Sequence, residues 1–228
     1  MKVLLIALVS FLFSTISLAH EGQACDVSTP TGSYCVAKVK ELHPTQMSVG
    51  MIEVQKKEKK IKHMDKDELE QYERGHPEPT VIGPEGVLYI IDHHHLARAL
   101  YEQDVKHTYC YIQLNLSNLD ETQFWQVMVN NSWVFPYNEN GRGPLPFSMI
   151  PSSVAGLKDD PYRSLAGEVR DDGGYQKSEA PFSEFLWADF FRSRISRQDL
   201  EDDFDHAVKK GVKLAHSPEA QNLPGYEE

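Results

Sequence analysis

The chain has 228 residues, 40% of them hydrophobic and 25% charged, a length that suits one compact domain with a tail rather than two large ones. Its formal net charge of −11 repels polyanions at long range, which argues against loose, non-specific nucleic-acid binding while leaving room for a local basic patch. The three cysteines, Cys25, Cys35 and Cys110, follow no zinc spacing.

Met1-Lys2, the apolar stretch Val3 to Ile16 and the closing Ser17-Leu18-Ala19 predict a cleavable secretory leader over 1–19. The apolar run is shorter than the roughly 20 residues of a spanning helix. The mature chain is therefore expected to be periplasmic or secreted, with no stable membrane anchor, and losing Lys2 takes its charge from −11 to −12. Residues 20–32 are turn-rich and are expected to form a flexible N-terminus. There Cys25 and Cys35 could close a small loop in an oxidising compartment, which leaves Cys110 as a buried small hydrophobe.

Tyr34 to Val39 nearly alternates and predicts a strand. A break follows at His43 to Gly50. Met51 to Ile61 is very basic and reads as an amphipathic helix or a solvated face, and Asp65 to Arg74 is acidic and helix-prone. Beyond the Pro- and Gly-rich stretch 75–86, Val87 to Ile91 is the strongest short apolar run and predicts a buried strand. Asp92 is placed to cap a helix that carries Leu96, Ala99 and Leu100 on one face. Thr108 to Leu116 predicts a second alternating strand, Glu121 to Val129 a helix, and Pro181 to Leu214 two more helical patterns before a polar tail from His216.

The strand-to-helix corner carries the chemistry. It sets His93, His94, His95 and Arg98 at a helix start, where unpaired N–H groups and the positive end of the dipole favour an anion, above all a phosphate. His94 and Arg98 are one turn apart and can point at one ligand. Asp92 can cap the helix, hold a divalent metal or fix a histidine tautomer. Consecutive histidines point in different directions, so at most two of the three are expected to serve one site. A metal site lacks the separated ligand spacing of a zinc motif, which leaves the cofactor open, a divalent metal included.

His43-Pro44-Thr45-Gln46, Val49-Gly50, Val81-Ile82-Gly83 and Asp92 through Leu100 resemble the ParB/sulfiredoxin superfamily, specifically its exported ParB-like nuclease group. Gly156 through Ala166 and Phe185 through Phe191 are similar to that group too. The resemblance implies an α+β fold: a small mixed sheet with a phosphate-binding strand-to-helix corner over 33–120, then a mainly helical extension over 121–228 packed on it. The superfamily's corner reads Gly-x-x-Arg or Asp-Gly-His-His-Arg. Here His93 stands where Gly would fall and Leu96 where Arg would fall, so Arg98 or a protonated His has to replace that guanidinium. The resemblance to the kinase branch implies Glu53 as a general base, beside its reading as a solvated helix-face residue. Gln46 could bind a ligand or close its turn. Arg163 and Arg170, among Asp159, Asp160, Asp171 and Asp172, are expected in surface ion pairs.

The leading expectation is an exported nuclease or phosphoesterase acting on a phosphate-containing small molecule or a nucleic acid. His94 and His95 would do acid–base work, with Glu53 as base and Asp92, His93, Arg98 and Gln46 around the phosphate. Nucleoside triphosphates are scarce outside the cytoplasm, which ranks a nucleotide-dependent phosphotransferase lower. A non-catalytic anion- or nucleotide-binding module and a metal-buffering protein are the alternatives. A sulfinic acid reductase ranks last, because no cysteine lies beside the corner.

Overall fold

The computed structural model describes residues 22–227, so the leader expected over 1–19 lies outside the described residues. Residues 22–32, expected to be flexible, are tied to the body. Cys25 and Cys35 form a disulfide, the Cys25 N–H donates to the Val36 carbonyl, and Thr29 is buried.

Strand β1 (Tyr34–Lys38) alternates as expected, with Cys35 and Ala37 buried. Two short strands, β2 (Leu42–Pro44) and β3 (Ser48–Val49), occupy the break that follows. The basic stretch is helix α1 (Met51–Lys62), whose buried Val54 and Ile61 lie about two turns apart on one face. Helix α2 (Lys66–Gly75) starts in a capping box made by Asp65 and Glu68. Strand β4 (Glu78–Ile82) then crosses the Pro- and Gly-rich stretch, where no strand is read from sequence. Four of its five residues are buried, so it shows no alternation, and Pro79 masks it further.

Strand β5 (Leu88–Ile90), helix α3 (His94–Glu102), strand β6 (His107–Asn115) and helix α4 (Glu121–Asn130) follow the predicted pattern closely. After a long irregular stretch come strand β7 (Lys158–Asp159) and helix α5 (Pro161–Asp171). Helices α6 (Ser183–Arg192), α7 (Arg197–Asp202) and α8 (Phe204–Ala215) complete the extension.

The main sheet is mixed and runs β1-β6-β4-β5-β2, so the unforeseen β4 is its central strand. Its β1–β6 and β4–β5 pairs are antiparallel, and its β4–β6 and β2–β5 pairs are parallel. Strands β3 and β7 pair in parallel, which joins the break before α1 to the segment leading into α5. One core packs Leu42, Ile90 and Ile112 of the sheet against Val54, Leu96 and Leu100 of α1 and α3. A second gathers Leu165, Trp187, Phe191 and Leu200 of the extension. The segment after α8 packs back on that second core, where Trp187 Nε1 donates to the Pro224 carbonyl at 2.8 Å. Among the described residues no helix is long and apolar enough to cross a membrane.

Candidate functional site

A cavity of about 650 Å³ opens where the sheet layer meets the helical extension. Helix α1 contributes Glu53 and Lys57, the β5–α3 corner His93 to His95, α5 contributes Arg163 and Arg170, and the start of α6 contributes Ser183. All three histidines of the corner border this one space, although His94 and His95 are packed beneath it.

His93 sits at φ 58° and ψ 18°, the left-handed region. That is the conformation a glycine would supply at the position where the resemblance expects one, and a non-glycine residue holds it at a cost of order 1 kcal/mol. Asp92 corrects an expectation. It does not cap α3: its Oδ1 accepts from the neighbouring His93 N–H at 2.7 Å, and no side chain closes the helix start.

His94 and His95 are buried, and each Nε2 accepts a backbone N–H, from Thr45 at 3.0 Å and from Gly50 at 3.1 Å. The ring proton therefore belongs on Nδ1 in both. Burial holds the imidazolium of His94 down to about 3 and that of His95 well below the usual range, so both rings are neutral near physiological pH. They act as braces that fix residues 45–50, and with them the start of α1, against α3. Neutral and already accepting at Nε2, neither ring offers a free basic nitrogen to the cavity.

Arg98 departs furthest from expectation. Its Nη1 donates to the carbonyls of Val154, Ala155 and Leu157 at 3.2, 2.9 and 2.8 Å, and its Nε to Glu102 at 2.7 Å. One turn along α3 from His94, it clamps the segment before β7 and does not border the cavity. Gln46 closes its own turn, donating from Nε2 to the Ser48 carbonyl at 2.7 Å, although it also borders the cavity. Glu53 faces the cavity with Oε2 3.7 Å from His95 Nε2 and Oε1 3.7 Å from Lys57 Nζ. Among the described residues no three His, Cys, Asp or Glu side chains gather into a group able to hold a metal ion.

Two carboxyls lie behind the corner. Glu78, at the first position of the central strand, is fully buried, and neither of its oxygens has a hydrogen-bond partner. One of them stands 4.0 Å from His93 Nδ1. Burial pushes the Glu78 carboxyl well above the usual range and the Glu73 carboxyl to about 7.

A family model described as "Putative ParB-like nuclease" matches residues 35–193, which takes in the sheet, the corner, α5 and α6. The chain belongs to this family. Among solved structures, this ParB-like chain is similar to the crystal structure of protein Atu1540 from Agrobacterium tumefaciens, at 39% identity and a TM-score of 0.80. The alignment covers 86% of this chain and 96% of that one. No curated protein matches.

In this ParB-like chain two guanidiniums of α5 border the cavity, those of Arg170 and Arg163, and Arg163, expected at the surface, is 8% exposed. Its Nε and Nη1 have no hydrogen-bond partner, Nη2 stands 3.6 Å from Glu184 Oε2, and the group lies over the Phe185 ring at 5.4 Å. Helix α5 delivers it. Pro161 starts that helix, and the buried Asp160 caps it through the Tyr162 N–H while accepting Arg192 Nη2 at 2.8 Å. A sequence signal existed: Tyr162, Leu165, Ala166 and Val169 repeat at helical spacing behind an Asp-Pro start, and all four are buried. That pattern announces α5 but sets Arg163 on the flank of the apolar stripe, so its burial comes from the helices that pack around it. The meeting of α5 with the corner is a tertiary fact with no local signal.

Proposed function

We propose that this cavity hydrolyses a phosphate ester, as a nuclease or phosphoesterase working outside the cytoplasm. The observation that carries the reading is Arg163, a buried guanidinium with two unpartnered N–H-bearing nitrogens bordering the same cavity as Glu53. A buried charged donor without an acceptor is costly, and a phosphate supplies oxygens that satisfy the planar fork. The uncapped start of α3 adds N–H groups and positive potential on a neighbouring wall.

The roles then divide as follows. Arg163 and the α3 start hold the non-bridging phosphate oxygens and stabilise the charge that develops on them. Glu53 takes a proton from a water as its oxygen bonds to phosphorus, the ester P–O bond breaks, and the departing oxygen is protonated by solvent. Lys57 Nζ, 3.7 Å from Glu53 Oε1, holds that side chain in place. The Cys25–Cys35 disulfide, together with the leader read from sequence, supports an oxidising compartment, where a nucleotide-dependent phosphotransferase would lack its co-substrate.

A second reading, anion binding without turnover, is favoured by the two braced histidines, which leave few groups to move protons. One experiment separates the two. Turnover of bis(p-nitrophenyl) phosphate and of a short oligonucleotide is measured for the wild type and Glu53→Gln, with melting temperatures to verify folding. Loss of about 10²-fold or more in kcat supports hydrolysis with Glu53 as base. A wild type that binds phosphate but turns over neither substrate leaves the binding module.

A further inference from the structure

We propose that the cavity carries a second oxyanion subsite at the start of α6, so that its ligand presents two neighbouring phosphate groups. This deepens the phosphate reading above and rests on it.

Helix α6 has ten residues, and no side chain caps its start. The residue before it, Phe182, lies in the left-handed region at φ 59°, as His93 does before α3. Both helix starts border the one cavity. At the second, Ser183 is 4% exposed and its Oγ has no hydrogen-bond partner. A buried hydroxyl without a partner costs on the order of 1–3 kcal/mol, and an acceptor entering from the cavity removes that cost.

The charges beside it select an anion. Arg170 Nη1 meets Glu184 Oε1 at 2.5 Å, and Glu184 Oε2 is 3.6 Å from Arg163 Nη2, so one carboxylate faces two guanidiniums. Lys177 and Glu179 also border the cavity and offset one another formally. Glu184 thus occupies part of the cationic wall, while Arg163 Nε and Nη1 and Ser183 Oγ keep open hydrogen-bonding capacity. A single phosphate fills only a small part of a space in the size range that holds whole ligands. Two phosphates, one at each helix start, match the donors on both walls.

Calorimetry with inorganic phosphate, pyrophosphate and a 5′-phosphorylated thymidine dinucleotide tests this. Pyrophosphate or the dinucleotide should bind at least about tenfold tighter than phosphate. Ser183→Ala should erase most of that advantage while leaving phosphate affinity unchanged and, by removing an unsatisfied buried hydroxyl, holding or raising the melting temperature, and Glu184→Gln should enlarge it by freeing the guanidiniums. A preference for pyrophosphate points to a diphosphate-bearing small molecule, and a preference for the dinucleotide to nucleic acid. Equal binding of all three, or a preference untouched by Ser183→Ala, overturns the proposal. The subsite survives if the wild type turns over neither phosphodiester, an outcome that would sink only the hydrolytic reading.

Discussion

His94 and His95 accept backbone N–H bonds as neutral rings, and that bonding makes them sensors of acid. Folded His94 is held near 3 against an ordinary 6.5, so its contribution is complete above pH 6.5 and is lost as pH falls toward 3; His95 shifts in the same direction. The buried carboxyls have the opposite sign. Glu73, held near 7 against an ordinary 4.5, contributes fully below pH 4.5 and loses that contribution as pH rises through 7, with Glu78 shifted the same way. Between pH 4.5 and 6.5 the two sets oppose, and unfolding midpoints in urea should change little across that window. His94→Gln should make stability rise toward acid there, and Glu78→Gln should make it fall. Profiles parallel to the wild type in both variants would show that these groups do not titrate as described. The identities of these residues were plain in the sequence, but their protonation was not, because it depends on burial and on which N–H each ring accepts.

Helices α1 and α5 meet at Gly50. A Cβ there would stand 2.7 Å from the Ser164 nitrogen, so the close approach that brings Glu53 towards Arg163 needs a residue without a side chain. Gly50→Ala should cost about 1–3 kcal/mol by overpacking and lower phosphate affinity as well, measured by denaturant titration and calorimetry. Gly167, in the middle of α5, offers the contrast. Its added methyl would meet Glu53 Oε2 at 3.8 Å and Arg163 Nη1 at 4.0 Å, ordinary contacts. Gly167→Ala should therefore raise stability by up to about 1 kcal/mol through helix propensity; destabilisation would show that the two helices leave no slack there. The pattern of apolar spacing announced β6 and α4 because each has one buried and one open face, and α3, six of whose nine residues are buried, through Leu96, Ala99 and Leu100. It missed β4, where four of five residues are buried, and the two-residue strands β3 and β7, which are too short to show a period.

Across the whole molecule a chain of net charge −11 encloses a cavity whose cations Lys57, Arg163, Arg170 and Lys177 are formally balanced by Glu53, Asp92, Glu179 and Glu184, so it is less acidic than the chain as a whole. On the proposed function, phosphate contacts are confined to the cavity while the acidic surface repels a longer polyanion. With two phosphates neutralised, oligonucleotide affinity should fall only about tenfold between 50 and 200 mM salt, whereas a protein tracking six to ten phosphates loses about 10³-fold or more. A steep dependence would place the nucleic-acid contacts outside the cavity. The sequence by itself determined the mixed α+β class, the strand-to-helix corner, the helical extension and the family, because these are written in local periodicity and in contiguous words such as Asp92 to Leu100. Tertiary structure alone decided the guanidinium. Arg98 is nearer to the corner in sequence, yet three carbonyls consume its donors, while Arg163 reaches the cavity because α5 packs against α1. Which of two equivalent charges serves a site depends on which finds no other partner when the chain closes, and no local pattern encodes that.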